Sequence, residues 1–276
     1  MSRIEATFAS LQPLGELALM PYLTLGYPSL HASLRLARAL VEAGADALEL
    51  GIPFSDPVAD GITLQHAHSH ALEGGTSTRP ALEALAEARA SVTAPLIVMT
   101  YYNPVLALGE REFVAALAGT GVDGLLVVDL PIEDASALRA LCRSSGIDPI
   151  YMVTPSSSDA RISQASRVGG GFLYCVSLRG VTGQRASLDA ELPAFIARVR
   201  RQARLPLCVG FGVSTRQHVR AMRSLADGVI VGSALVERIK GAPQGLEAEE
   251  AAAFVRALKA ETRRPAGRRS ASLTAS

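Results

Sequence analysis

The stretch LELGIPFSDPVADG, residues 48–61, joins a short apolar strand pattern to a loop that carries prolines and acidic residues. The residues from Gly61 onward, GITLQHAHSHALEGG, have the composition and length of a short helix. A strand, a loop and a helix in this order form one βα unit. The same succession recurs along the rest of the chain, so this stretch is one copy of a repeating unit.

The repeat consists of β-rich segments that alternate with Ala-, Leu- and Arg-rich segments of helical spacing, at about 30 residues per unit. Eight units in succession favour a closed parallel barrel over an open sheet, although counting alone leaves seven or nine strands open. The prediction is an α/β fold, a (β/α)8 TIM barrel. The strand segments are ALMPYLTL, ALELG, LIVMTYY, GLLVVDL, PIYMVT, GFLYCVSL, LPLCVGFG and DGVIVGS.

Length and composition predict the domain organisation. The chain has 276 residues, of which 49% are hydrophobic, and a single barrel of about 250 residues fits that length. We expect one TIM-barrel domain over residues 1–264, with a helix over residues 2–12 that plugs the barrel floor and a closing helix in GLEAEEAAAFVRALKAETRR. The small and polar residues 265–276 predict a disordered tail.

Charge and cysteine usage predict the location. The formal net charge of +1 provides no global field that favours nucleic acid or an anionic membrane. The three cysteines, Cys142, Cys175 and Cys208, lack CxxC spacing and predict buried thiols in a reducing cytosol. The first residues lack a signal-peptide core, and no apolar run reaches the roughly 18 residues of a membrane span. We therefore expect a cytoplasmic protein that binds neither membrane nor nucleic acid.

Glu49 is the unusual residue of the second strand. Alternation places Leu48 and Leu50 on one face, toward the helices, and Glu49 on the other, inside the barrel. The carboxyl end of a barrel strand is where barrel enzymes hold catalytic groups. Desolvation there raises the pKa of a carboxyl group and suits it to proton transfer near neutral pH. The alternative is a structural glutamate that pairs with an arginine or caps a backbone amide.

The loop after this strand carries two aspartates, Asp56 and Asp60. Asp60 is predicted to be a second catalytic carboxylate above the barrel mouth, in wetter surroundings than Glu49. Unequal surroundings give two carboxyl groups different pKa values and therefore different roles. The alternative is that Asp60 is the N-cap of the following helix.

Glycine turns after the last two strands, in VGFGVST and VGSALV, predict an anion site. Backbone amides of Gly212, Gly232 and Ser233, together with a helix dipole, would bind phosphate where barrels commonly hold it. The sixth strand is followed by RGVTGQR, residues 179–185, which is either a lid or a plain surface loop.

Seven motifs together resemble the tryptophan synthase alpha-subunit family, in its order and spacing and over nearly the whole chain. The resemblance implies cleavage of indole-3-glycerol phosphate to indole and glyceraldehyde 3-phosphate, with no cofactor in this chain. It also implies a pyridoxal-phosphate-containing beta subunit as partner, in an α2β2 heterotetramer that joins indole to serine. The motifs are PYLTLGYPS, GADALELGIPFSDPVADG, MTYYNP, VVDLP, SLRGVTG, VGFGVS and ADGVIVGSA.

The resemblance also implies roles for individual residues. Glu49 and Asp60 take the two catalytic carboxylate positions, and Tyr174 joins them at the indole and glycerol pocket. The implied substrate-binding residues are Tyr22, Tyr101, Gly183, Phe211, Gly212, Gly232 and Ser233. The implied partner-binding residues, at the carboxyl face of the barrel, are Asp56, Pro57, Asn103 and Pro104, with Asp129, Leu130 and Pro131 on the same face.

Two positions depart from the family pattern. Ile62 stands where the family usually has proline, which concerns the stiffness of the loop after Asp60. Leu178 and Arg179 place the cation of the predicted lid one step away from its usual position. Neither departure touches the proposed proton-transfer groups.

Other chemistries remain as alternatives. A Schiff-base lyase needs a lysine in the barrel, whereas Lys240 and Lys259 both lie beyond the last strand. The tract HAHSH resembles a chelating sequence, but only His66 and His70 would share a helix face, and no carboxylate cluster completes a metal site. A sugar-phosphate isomerase would need an acid–base pair on strands one and five. A non-catalytic barrel that only binds and activates a partner is the remaining alternative.

Overall fold

The computed structural model describes residues 1–176, 190–210 and 212–263. All eight predicted strands are present, and they form a closed barrel in chain order. Every neighbouring pair is parallel, including the first and last strands. The (β/α)8 TIM-barrel prediction is therefore confirmed. The strands are β1 (Ala18–Thr24), β2 (Leu48–Gly51), β3 (Leu96–Thr100), β4 (Gly124–Val127), β5 (Asp148–Val153), β6 (Leu173–Val176), β7 (Leu207–Gly210) and β8 (Gly228–Val231).

Helices follow the strands and form the outer layer. The predicted closing helix is present. The residues that follow it pack back against the start of the barrel. The helices are α1 (Arg3–Leu11), α2 (Leu30–Glu42), α3 (Ile62–Glu73), α4 (Thr78–Ser91), α5 (Tyr102–Leu108), α6 (Glu110–Thr120), α7 (Ser136–Ser144), α8 (Asp159–Val168), α9 (Leu192–Gln202), α10 (Arg216–Met222), α11 (Ser233–Gly241) and α12 (Glu247–Lys259).

The apolar core has two parts, as strand alternation requires. Leu48 and Leu50 belong to the larger cluster, between the strands and the helices. Ala47 belongs to the smaller cluster inside the barrel. Burying a leucine side chain contributes about 1.5–3 kcal/mol, so the leucines hold the strand in a register that turns Glu49 inward.

Helix α1 begins with a capping box, in which Ser2 and Glu5 satisfy each other's backbone amides. Its residues Ile4 and Phe8 are buried in the interior cluster of the barrel. The Ser2 hydroxyl donates to Asp148 Oδ2 at 2.6 Å, at the amino end of β5. Contacts of this kind suit a helix that covers the barrel floor, and that role stays a prediction. The single domain over residues 1–264 also stays a prediction. The predicted tail, residues 265–276, lies outside the described residues.

The amino end of the barrel is fastened to the end of α12 by ion pairs. The Lys259 ammonium lies 2.7 Å from carboxylate oxygens of both Glu16 and Asp46. Arg263 adds a contact to Glu16 at 3.1 Å. Lys259 is thus held at the end of the barrel opposite the carboxyl ends of the strands.

The three cysteines are buried and unbridged, as predicted from their spacing. Within the described ranges, no helix combines the length and the apolar composition that crossing a membrane requires.

Candidate active site

Glu49 lies inside the barrel near the carboxyl end of β2, in register with Tyr22 of β1 and Ile97 of β3. Its exposed fraction is 3%, and within the described residues neither carboxylate oxygen has a hydrogen-bond partner. An arginine pair or a capped amide is therefore not what holds this carboxyl group. Burial, with a smaller contribution from the charge of Asp60, raises the pKa of Glu49 to about 8.

Asp60 is also buried, with an exposed fraction of 1%, whereas the sequence predicted wetter surroundings for it. Its Oδ2 atom accepts a hydrogen bond of 2.8 Å from the Tyr101 hydroxyl. Oδ1 is buried and has no partner among the described residues. The alternative that Asp60 is the N-cap of α3 is wrong, because the N-cap is Gly61. The two carboxyl groups differ in their hydrogen bonds. Asp60 accepts one from Tyr101, and Glu49 has none among the described residues.

Three buried tyrosines line the same end of the barrel: Tyr22, Tyr101 and Tyr174. The Tyr22 hydroxyl lies against Gly51 and the Tyr174 ring against Gly210, and neither position has room for a side chain. Burial, followed by the negative charges of the carboxylates, raises the phenol pKa of Tyr22 and of Tyr174. Each hydroxyl is therefore neutral and able to donate a hydrogen bond.

His68 belongs to this group, although the sequence analysis did not select it. It is buried on α3, while His66 and His70 of the same tract are exposed. Its ring reaches both Tyr22 and Asp60. Helical spacing would have revealed it, since His68 shares the buried face of α3 with Leu64, Ala67 and Ala71. Among the described residues, no three His, Cys, Asp or Glu side chains are grouped to hold a metal ion.

The loop from β2 to α3 is anchored to the barrel by its own chain. The Phe54 ring stacks on the Tyr101 ring at a centroid distance of 5.1 Å. The Ala59 amide donates to the Tyr101 hydroxyl at 3.2 Å, and the Gln65 side chain donates to the Asp60 carbonyl at 2.9 Å. These contacts hold Asp60 on both its side-chain and its backbone groups.

The glycine turns lie where an anion could approach them. Gly232 precedes α11, whose first amides have no partner within the helix, and it lies beside Tyr22. A Cβ at Gly212 would meet nothing within 4 Å, and the positive φ of 80° at that residue suits glycine. Ser233 is exposed at the first position of α11. Gly183, Phe211 and the departure at Leu178 and Arg179 lie outside the described residues.

The predicted partner-binding residues differ in exposure. Asp56 and Asn103 are exposed, whereas Pro57 and Pro104 are buried within the chain. Large apolar side chains are exposed beside them, with Val58 at 78% and Leu106 at 52%. Both follow the carboxyl ends of neighbouring strands.

Comparison with known proteins identifies the family of the chain. Residues 8–263 match the family model described as "Tryptophan synthase alpha chain". The chain is 48% identical to the tryptophan synthase alpha chain of Chloroflexus aurantiacus over 266 residues, which cover 96% of this chain and 100% of the relative. The tryptophan synthase alpha chain of Roseiflexus sp. is also 48% identical, over 260 residues that cover 94% of this chain and all of the relative.

Solved structures give the same result. The chain is 34% identical to tryptophan synthase subunit alpha from Legionella pneumophila, with a TM-score of 0.88 over 95% of this chain and 98% of that one. A chain of Mycobacterium tuberculosis tryptophan synthase is 36% identical, with a TM-score of 0.88 over 96% and 99% of the two chains. With the family model covering the barrel from α1 to the end of α12, this chain belongs to the tryptophan synthase alpha chain family.

Proposed function

We propose that this chain is a carbon–carbon lyase that cleaves indole-3-glycerol phosphate to indole and glyceraldehyde 3-phosphate. The observation that carries the proposal is the pair of buried carboxyl groups with unequal surroundings. Glu49 is buried and has no hydrogen-bond partner among the described residues, while Asp60 accepts a hydrogen bond from Tyr101. Different surroundings are how one site holds an acid and an anion together.

Glu49 is the acid of the first step. Because its pKa is about 8, the carboxyl group is mostly protonated near pH 7 and has a proton to deliver. The proton goes to indole C3, which makes the ring an electron-poor cation. The bond from C3 to the side-chain carbon then breaks, and its electron pair returns to the ring, so that neutral indole leaves.

Asp60 stabilises the cation between these two events. Its Oδ1 atom has no partner in the described chain and is available to the indole N–H. A fixed negative charge beside a developing positive one contributes on the order of 2.7–4 kcal/mol at sites of this kind.

The side-chain hydroxyl loses its proton as the carbon–carbon bond breaks, and that oxygen becomes the aldehyde oxygen of glyceraldehyde 3-phosphate. Glu49, which is a carboxylate after the first transfer, takes this proton and returns to its starting state. Burial, followed by the charge of Glu49, raises the pKa of Tyr174, and its neutral hydroxyl donates to a substrate oxygen at this point. No proton is gained or lost over the cycle.

Substrate phosphate binds at the glycine turns after β7 and β8. The amides of Gly212, Gly232 and Ser233 supply donors without a metal ion, and the N-terminus of α11 adds its dipole. Tyr22 lies against Gly232, which suits a substrate that spans the distance from the barrel interior to this turn.

The partner is a beta subunit that carries pyridoxal phosphate and converts indole and serine to tryptophan, in a cytoplasmic α2β2 heterotetramer. The exposed side chains of Asp56, Val58, Asn103 and Leu106 offer it a mixed polar and apolar surface at the barrel mouth. Indole that is released at this end would leave directly toward the partner.

The remaining alternatives fit the structure less well. A Schiff-base mechanism needs a nucleophile at the barrel mouth, and Lys259 is engaged at the opposite end. Burying Glu49 without a hydrogen-bond partner among the described residues costs free energy. A barrel that only activates a partner gives no reason for that cost.

Indole release from indole-3-glycerol phosphate tests the proposal. The wild-type chain should release indole, Glu49→Gln should lose nearly all activity, and Asp60→Asn should lose about 10² to 10³-fold, as for one electrostatic group. Glu83→Gln, on the exposed face of α4, is the control and should match the wild type. Wild-type turnover by Glu49→Gln would refute the acid assignment.

A further inference from the structure

His68 is a buried imidazole that the mechanism above does not use. Its exposed fraction is 2%, and it lies on the face of α3 that packs against β1. Every ring nitrogen buried in this way needs a partner, because an unsatisfied buried polar atom costs about 1–3 kcal/mol. Both nitrogens of His68 have one.

The partners of His68 determine which nitrogen carries the hydrogen. The Phe54 amide donates to Nδ1 at 3.1 Å, so Nδ1 is an acceptor and carries no hydrogen. The neutral ring therefore has its hydrogen on Nε2. Nε2 lies 3.2 Å from the Tyr22 hydroxyl oxygen and 3.4 Å from Asp60 Oδ2. The Tyr22 hydroxyl is free to donate to Thr24 Oγ1 at 3.1 Å.

Two hydrogen-bearing groups thus converge on one oxygen of Asp60. Tyr101 donates a hydrogen bond to Oδ2 from the β3 side, and His68 Nε2, whose hydrogen bond is with the Tyr22 hydroxyl, lies 3.4 Å from the same oxygen on the α3 side. Oδ1 receives neither. A carboxylate that is held by one oxygen cannot rotate without losing these contacts, so its second oxygen has a fixed direction.

We propose that His68 is a positioning residue, whose Nε2–H, fixed by its hydrogen bond with Tyr22, attracts Oδ2 of Asp60 across 3.4 Å so that Oδ1 meets the indole N–H. The same ring ties this carboxylate to the start of its own loop through the Phe54 amide. Its effect on catalysis rests on the proposed function, since Asp60 is the group through which it acts.

Two substitutions separate the two ends of the imidazole. In His68→Gln the side-chain amide nitrogen reaches the position of Nε2 and keeps a donor toward Asp60. In His68→Asn the side-chain oxygen reaches the position of Nδ1 and keeps only the acceptor for the Phe54 amide. Because the two variants are both polar and neutral and each keeps one end of the imidazole, the comparison shows which end catalysis depends on. His66→Asn, an exposed histidine on the same helix, is the control.

Steady-state kinetics of indole release should show a fall in kcat of about tenfold for His68→Asn, the effect expected for loss of one polar contact to a charged group. KM should change by less than about threefold, and His68→Gln should stay within about threefold of the wild type. In an Asp60→Asn background the cost of His68→Asn should shrink to less than about twofold, because the two residues act as a unit. Equal costs in both backgrounds, or wild-type kcat in His68→Asn, would overturn the proposal.

A readout that needs no activity separates this proposal from the proposed function. Nitrogen NMR of the labelled histidines should show His68 as the Nε2–H tautomer, and Asp60→Asn should shift its Nε2 and attached proton. If the wild-type chain released no indole while these shifts were present, the lyase assignment would fail and the contact would stand. An Nδ1–H tautomer, or a spectrum indifferent to Asp60→Asn, would overturn the role of His68 whatever the activity.

Discussion

Glu49 and Asp60 show how two carboxyl groups acquire opposite properties within one pocket. Both are almost fully buried, so exposure does not distinguish them. Asp60 has a hydrogen bond from Tyr101, whereas neither carboxylate oxygen of Glu49 has a hydrogen-bond partner among the described residues. A carboxylate needs donors to remain charged when it is buried, and a neutral acid does not. Glu49, which has no such donor among the described residues, is the group whose pKa burial raises.

The raised pKa of Glu49 has a consequence for stability. Its carboxyl group titrates near pH 4.5 in the unfolded chain and near pH 8 in the folded one, so the folded state binds the extra proton between these values. The free energy of unfolding should therefore fall as the pH rises from about 4.5 to about 8, because ionised Glu49 is penalised only in the folded state.

Glu49→Gln removes this titration and isolates it. The difference in unfolding free energy, variant minus wild type, should grow by on the order of a few kcal/mol between pH 5 and pH 9. Urea unfolding at several pH values measures it. All other titrating groups are common to the two proteins and cancel. A difference that is independent of pH would mean that Glu49 is ionised at both ends of the range.

Residue-level prediction from the sequence worked where one simple periodicity applied. The two-residue period of β2 was enough to turn Glu49 inward and the leucines outward. His68 is missed because the helix-face argument was applied only to His66 and His70 as a chelating pair, and not to the buried face of α3. The hydrogen bond between Tyr101 and Asp60 joins residues that are 41 positions apart, and no local pattern encodes it.

At the scale of elements, strand existence was predictable and strand ends were not. The segment LIVMTYY suggested a strand through Tyr102, but α5 begins at that residue. Asp129 Oδ1 accepts the Tyr102 amide at 2.7 Å, and Pro104 occupies the first turn, where a missing N–H costs nothing. The strand therefore ends because of a contact from the loop that follows β4. The sequence pattern of β3 alone does not contain this information.

Ile62 has a structural explanation as the first residue of α3. Gly61 before it is extended, with φ −72° and ψ 163°, which is the conformation that precedes proline most readily. The first helical position also needs no amide hydrogen. The site is therefore ready for the proline that the family usually has.

Ile62→Pro should raise the free energy of unfolding by about 0.4–1 kcal/mol, because proline restricts the unfolded chain. Ile62→Ala is the control for loss of the exposed side chain, and it should not stabilise. Urea unfolding compares the three proteins. A destabilised proline variant would show that the start of α3 needs the amide or the side chain of Ile62.

The turn between β8 and α11 is the element on which phosphate binding depends. A Cβ at Gly232 would make ordinary van der Waals contacts, at 3.7 Å from Tyr22 and 3.8 Å from Leu64, so the first side-chain carbon has room. The new atoms would nevertheless cover the amides that phosphate approaches. Gly232→Val should raise KM for indole-3-glycerol phosphate by at least roughly tenfold, the loss of about 1.4 kcal/mol of binding.

Gly241→Val, at the other end of α11, is the matched control, because a Cβ there meets nothing within 4 Å. Its KM should equal that of the wild type. Phosphate binding should also persist in the presence of a chelator. If Gly232→Val bound substrate normally, the anion site would have to lie elsewhere on the barrel.

At the scale of the whole molecule, the ion pairs that stabilise the barrel and the groups proposed for the chemistry lie at opposite ends of it. The ion pairs of Glu16, Asp46 and Lys259 lie at the amino end, while Glu49, Asp60 and the exposed side chains for a partner lie at the carboxyl end. The parallel order of the strands followed from the repeated βα unit, whereas counting the repeats left seven or nine strands open beside the eight that are present. The closure between β1 and β8 joins the two ends of the fold, and only the full set of strands specifies it.

A beta subunit that docks at the barrel mouth should increase lyase activity by at least roughly tenfold, which corresponds to about 1.4 kcal/mol of coupling. The loop that holds Asp60 is already anchored through Tyr101, so we expect the partner to act on substrate enclosure more than on this loop. Coupling is reciprocal for binding. An indole-linked alkyl phosphate that lacks the side-chain hydroxyl should therefore tighten subunit association in titration calorimetry, and an unchanged affinity would contradict the coupling.

The account depends most on the protonation state of Glu49 in the folded chain. Carbon NMR of the protein labelled at the glutamate side-chain carboxyl carbons measures it directly, with Glu49→Gln to identify the signal. We predict one carboxyl resonance that titrates near pH 8 in the wild type and is absent from the variant, with kcat falling over the same pH range. A Glu49 resonance that titrates near the ordinary value of 4.5 would contradict the account, because the group would then have no proton to give at neutral pH.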